Sequence, residues 1–174
     1  MQLRRISRCI SFALLLAAPL CVRADDYGDV NRLVQARQYD QALAKADQYL
    51  AAKPRDPQMR FLKGVILAES GKRAAAIEAY TQLTQEYPEL PEPYNNLAVL
   101  YAQQNEYDKA RDALEGAVRA NPNYATAHEN LGDVYAKLAG QSYAKAQQID
   151  PANASAPSKL ALVRQLLSPP AVKR

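Results

Sequence analysis

The sequence predicts an all-α solenoid of antiparallel helix pairs, and three observations lead there. Prolines at 54, 88 and 122 recur at intervals of 34 residues. Three more columns keep that interval: Ala42, Ala76 and Ala110; Val30, Gly64, Ala98 and Gly132; Leu33, Leu67, Tyr101 and Tyr135. Between them lie "ESGKR" and "QQNEY", short polar segments suited to turns between antiparallel helices. A fixed period of this size marks supersecondary units that bury their apolar faces against their neighbours.

The first element is a leader, residues 1–24, with a basic start at Arg4, Arg5 and Arg8, an apolar run from Cys9 to Leu20 and small residues at Val22 and Ala24. This is the layout of a secretory signal peptide, with cleavage expected after Ala24 and an apolar run too short for a stable membrane span. The Arg4-Arg5 pair lacks the following residues of a twin-arginine signal. "APLC" resembles a lipid-attachment box at Cys21, but Leu20 stands where a small residue is expected. Removing the leader lowers Lys+Arg from 22 to 18, equal to the 18 acids. The remaining chain is near neutral, which argues against nucleic-acid binding, since that needs a clustered positive surface. Both cysteines, Cys9 and Cys21, belong to the leader, so packing alone must hold the rest together.

The predicted domain spans residues 25–167, with repeats at about 25–56, 57–90, 91–124 and 125–151. Small residues at 64, 98 and 132 let two helices approach closely, and large ones at 67, 101 and 135 fill the space one turn later. Alanines at 76 and 110 do the same on the second helix of each pair. Each unit closes with a proline segment, "AAKPRDP", "QEYPELP" or "ANPNYA", because proline ends one helix and pre-sets the first turn of the next.

The fourth unit is short. Leu114 to Tyr143 spans 29 positions, as does Pro122 to Pro151, so five residues are missing between Tyr135 and Tyr143, where the turn belongs. "AKLAGQS" holds no turn-forming cluster, and Leu131, Tyr135, Leu138, Ser142, Ala146 and Ile149 follow at steps of three and four. The spacing predicts one fused helix of about 25 residues, about 37 Å long. Gly140 within it costs about 1 kcal/mol relative to alanine. A capping helix is expected over 156–167, with Ser155 as N-cap and Leu160, Val163 and Leu167 as its apolar stripe. It would form a polar-faced lid on the stack. Residues 168–174, "SPPAVKR", are expected to be a disordered tail.

A 34-residue helix-turn-helix unit with small-x-x-large in the first helix, alanine in the second and a closing proline resembles the tetratricopeptide repeat. The resemblance covers residues 25 to about 151. It is strongest over 91–122, where Tyr94, Leu97, Ala98, Tyr101, Ala110, Leu114, Ala117 and Pro122 occupy landmark slots. The first copy departs at Asp26 and Ala46, where bulky and aromatic residues are usual. The resemblance implies a right-handed solenoid whose first helices line a concave groove. "NLGDVYAKLA" with the following "YAKA" also resembles the last repeat of small exported proteins of proteobacteria, which implies a Gram-negative periplasm.

By that resemblance the groove holds Phe61, Val65 and Glu69; Asn95, Val99 and Gln103; and Glu129, Asp133 and Lys137, with Tyr27 and Asn31 extending it at the first repeat. Asn95, Asn96 and Asn130 offer amides able to bond an extended peptide's backbone. Family members that clamp a C-terminal carboxylate place lysine or arginine where this chain has Tyr27, Phe61, Asn95 and Glu129. The expected ligand is instead a peptide or helix with an apolar centre and a basic end facing Glu129 and Asp133. The bland alternative is that these acids only solubilise the groove.

Nothing in the sequence assembles a catalytic, cofactor or metal site. His128, the single histidine, falls where a large aromatic normally packs. Without cysteine or a second histidine, neither a zinc site nor a His-activated nucleophile can be built. Pairs such as Glu89 with Glu92, and Glu129 with Asp133, read as solvated helix faces. Tyr80, Tyr94, Tyr101, Tyr135 and Tyr143 fall in packing slots and read as core. The expected function is a non-catalytic protein-binding module of the cell envelope. The alternative is a glycan-binding accessory protein using Tyr27, Phe61 and Tyr94 as platforms. An enzyme is the least supported reading, and oligomeric state stays open.

Overall fold

The computed structural model describes residues 26–168, so the expected leader and the tail beyond Ser168 lie outside the described residues. Eight helices follow in order: α1 (Asp26–Gln35), α2 (Tyr39–Ala52), α3 (Pro57–Glu69), α4 (Arg73–Glu86), α5 (Pro91–Ala102), α6 (Tyr107–Ala120), α7 (Ala125–Ile149) and α8 (Ser155–Leu166). Each packs on its chain neighbours, α5 also meets α7, and no strand occurs among the described residues. This is the solenoid of helix pairs that the period predicts.

The turns repeat as strictly as the columns. Arg37, Gly71 and Asn105, spaced by 34, all have positive φ, at 57°, 78° and 59°. At each, the following amide bonds back to the sixth residue: Gln38 to the Leu33 carbonyl, Lys72 to Leu67 and Glu106 to Tyr101. That closure satisfies orphan carbonyls at the helix end and requires one left-handed residue, a conformation that glycine and asparagine tolerate best. The next position in the column, Ala139, lies inside α7.

The fused helix is therefore observed: α7 runs 25 residues without a turn at Gly140. Its consequences were not all anticipated. Gly64 does the close-packing work expected of it, since a Cβ there would stand 2.5 Å from Cε1 of Tyr80 on α4. Gly132 does not, for no atom lies within 4 Å of its would-be Cβ. Tyr135, expected in the core, is 47% exposed, its hydroxyl donating to Glu115 at 3.1 Å. Both departures share one cause. With no second helix folded back, the face that repeats two and three cover is left open. His128 is also exposed, its Nε2 lying 2.9 Å from the Pro122 carbonyl oxygen rather than in the core.

The core forms two clusters. One gathers Val30, Ala42, Ala46, Met59 and Ile66 in the first repeats; the larger includes Leu67, Tyr80, Leu83, Leu97, Ala98, Leu114 and Val134. At the far end α8 turns back along α7, with Val163 Cγ1 3.4 Å and Leu160 Cδ1 3.9 Å from the would-be Cβ of Gly140, and Lys159 over the Tyr143 ring. Ser155 is not the N-cap. The helix starts one residue earlier than expected, so the N-cap position falls on Ala154, and Asn153 just before it satisfies the helix start, its Oδ1 accepting from the Ser155 and Ala156 amides at 3.1 and 3.0 Å. Nor is the lid polar-faced: Leu162 and Leu166, one turn apart, are 65% and 71% exposed.

Candidate ligand groove

Three hollows lie between successive first helices. The first, about 330 Å³, sits between α3 and α5, lined by Val65, Glu69, Asn96, Val99 and Gln103 over the Tyr80 ring. The second, about 320 Å³, lies between α5 and α7, where Asn130, Asp133 and Lys137 face Val99, Gln103 and Tyr107. Val99 and Gln103 belong to both, so the two form one continuous groove with a 40%-exposed valine at its saddle. The third, about 290 Å³, continues toward the helix N-termini between Phe61, Gln58, Leu90, Glu92 and Pro93.

Ten of the expected residues find places here or beside it. Phe61, Val65, Glu69, Asn96, Val99, Gln103, Asn130, Asp133 and Lys137 line the hollows, and Glu129 stands exposed one turn before Asp133. Asn31 is exposed but outside these hollows. Gln58 and Glu92 were missed, although each lies three residues before an expected position (Phe61 and Asn95) and so shares its helix face.

Two expected residues serve the fold instead. Asn95 is only 6% exposed, and its Oδ1 accepts from Asn130 Nδ2 at 2.8 Å. That bond ties α5 to α7 through the Asn95 carbonyl oxygen, and the side chain is buried beneath the groove surface rather than presented on it. Tyr27 is half-buried, its hydroxyl donating to Asp56 at 2.6 Å while Tyr49 donates to the other oxygen at 2.8 Å. Asp56 also caps α3 by accepting from the Met59 amide, so one carboxylate joins α1, α2 and α3. Burial and the donation to Asp56 both raise the Tyr27 pKa. Burial works against the ionised Asp56, but the hydroxyl and amide donors outweigh it and hold its pKa below the usual carboxylate value.

Beneath the groove Tyr80 is buried to 1% exposure, and burial pushes its pKa up to about 12 even though Asn96 donates to its hydroxyl at 3.0 Å. Phe61 lies against it with ring centroids 5.7 Å apart. The Tyr94 ring faces α6, where a Cβ on Gly116 would approach it to 2.6 Å, and its hydroxyl donates to the Thr84 carbonyl. Tyr27 and Tyr94 thus hold helices together rather than offer flat ring faces. A larger hollow of about 480 Å³ lies between α2 and α4 over α3. Its cations are already engaged: Lys63 with Asp47 at 2.7 Å, and Arg60 with Glu86 through two bonds at 2.7 and 2.8 Å.

Two family models described as tetratricopeptide repeat match residues 27–91 and 67–138, together more than half of the sequence. The chain belongs to the tetratricopeptide repeat family. Its fold is similar to the crystal structure of MamA (TM-score 0.58, 23% identity, 78% of this chain and 82% of that one). It is also similar to YrrB, a tetratricopeptide protein with an unusual peptide-binding site (TM-score 0.55, 25% identity, 60% and 54%). A third similar structure is the first such domain of Spaghetti (RPAP3) bound to the HSP90 peptide SRMEEVD (TM-score 0.60, 17% identity, 66% and 90%).

Proposed function

We propose that this protein is an exported, non-catalytic binding module of the Gram-negative cell envelope, receiving a protein segment along the groove of α3, α5 and α7. The single observation carrying this reading is the continuity of two hollows through Val99 and Gln103, with an apolar floor and polar walls. Peptide binding by YrrB and by the RPAP3 domain supports the class of ligand. The acidic SRMEEVD sequence is not a model for the ligand itself, because Glu69, Glu92, Glu129 and Asp133 make this groove acidic. A segment with an apolar centre and a basic end fits better. The leader supports export, and its length argues for release rather than anchoring, with lipid attachment at Cys21 as the minor route.

Photo-reactive residues placed in cells at Val99 and Gln103, against a control at the exposed Gln48 on α2, test the surface. Crosslinked species specific to positions 99 and 103 are expected. Equal yields at all three positions, or none, would remove the groove from the account.

A further inference from the structure

The charges of this chain are segregated along its length. Residues 74–136 carry three basic and ten acidic side chains, whereas residues 137–174 carry six basic and one acidic. The fold converts that segregation into two unmatched surfaces. Among the described residues every ion pair lies between Asp29 and Asp112. Glu92, Glu129 and Asp133 at the groove have no ion-pair partner, and neither do Lys145, Lys159 and Arg164 on the hairpin formed by the end of α7 with α8. That hairpin also exposes Leu162 and Leu166, and Ile149 near its tip is 73% exposed.

We infer that the occupant of the groove is a second copy of this chain, whose α7–α8 hairpin lays the Leu162–Leu166 edge on the Val65–Val99 floor and its cations against Glu92, Glu129 and Asp133. The inference rests on the groove being the binding surface and names what fills it. The fused helix explains why the edge is available. Deleting the turn lets α7 run on to α8, where Gly140 lies against Val163 and Leu160 rather than against a folded-back helix of its own repeat. A helix with apolar residues at i and i+4 suits a groove with an apolar floor between two helices. The two surfaces are different patches, so the contact is head-to-tail, and each added copy presents a new groove or a new hairpin.

The test combines two variants of the full chain, both at exposed positions. Val99→Arg blocks the groove saddle, and the double variant Leu162→Glu/Leu166→Glu blocks the hairpin. Light scattering coupled to size exclusion is expected to show the wild-type mass rising with concentration. That rise should vanish at about 1 M salt, where the Debye length is about 3 Å. Each variant alone should stay monomeric with an unchanged thermal midpoint. A mixture of the two should form a one-to-one complex, because each retains the surface the other lacks. A wild-type chain that stays monomeric throughout overturns self-docking. If it still crosslinks through Val99 in cells, the groove reading survives without it. Assembly lost with the hairpin variant but kept with Val99→Arg would mean the leucine edge pairs with itself, which also overturns the proposal. So would a monomer that floats with vesicles of anionic phospholipid in a leucine-dependent way.

Discussion

Two glycines of one repeat column are expected to respond to the same substitution with opposite signs. In Gly64→Ala the new methyl would stand 2.5 Å from Cε1 and 2.8 Å from Cζ of Tyr80. The ring cannot swing aside, since it is buried and its hydroxyl accepts from Asn96. Repacking at so tight a contact costs about 3 kcal/mol. The helix preference of alanine over glycine offsets about 1 kcal/mol of that. The net loss of about 2 kcal/mol lowers the thermal midpoint of a domain this size by about 4 to 8 °C. Gly132→Ala meets no atom within 4 Å, so only the helix preference remains. It should raise the midpoint by about 2 to 4 °C. Melting followed by far-ultraviolet circular dichroism, with urea titration as a second measure, reads both. If Gly132→Ala destabilises as Gly64→Ala does, a helix crosses Gly132, and the fourth repeat is a closed hairpin rather than one long helix.

Asp56→Ala removes the α3 cap and leaves two tyrosine hydroxyls without their acceptor, a loss of about 2 to 3 kcal/mol readable in urea. The folded pKa of Asp56 is depressed, so its contribution is present above the unfolded carboxylate value and fades as pH falls through the lower folded one. Asp56→Asn should flatten that part of the acid side of the stability profile, and an unchanged profile would refute the clasp. Asn130→Ala strands the buried Asn95 oxygen and should cost about 2 kcal/mol, whereas Asn96→Ala, at the half-buried groove wall, should cost less in the same titration. Gly140→Pro breaks the ladder of α7 at a cost of about 3 kcal/mol. Trypsin should then cut faster at Lys145 and Lys159, while fragments spanning α2 to α6 persist. Uniform protection would show that α7 bends without strain.

The groove was legible where position on a helix decides the matter. Phe61, Val65, Val99 and Gln103 follow from repeat register, and register survives folding because each unit packs like the last. Asn95 and Asn130 were both expected to offer their amides to a ligand, and the structure pairs them with each other. Both point toward the interhelical seam, and only the distance between α5 and α7 shows that they bond each other instead of a ligand. Tyr27 sits in a groove column, yet Asp56, 29 residues later, captures its hydroxyl at the close of the first repeat. A periodic pattern cannot report such a contact, because Asp56 has no counterpart among Leu90 and Tyr124, its 34-residue equivalents.

By itself the sequence determined the repeat, the helix pairs and the loss of one turn, since these depend on local spacing, on proline and on which residues accept a left-handed backbone. Only the tertiary structure decided what the lost turn uncovers. Gly132 and Tyr135 keep the residue types of their columns but not the helix that would cover them, and Leu162 and Leu166 face outward because Leu160 and Val163 on the inner edge of α8 already fill the space along α7. Exposure depends on what packs opposite a side chain, and the spacing within one helix carries no record of whether its neighbour folds back.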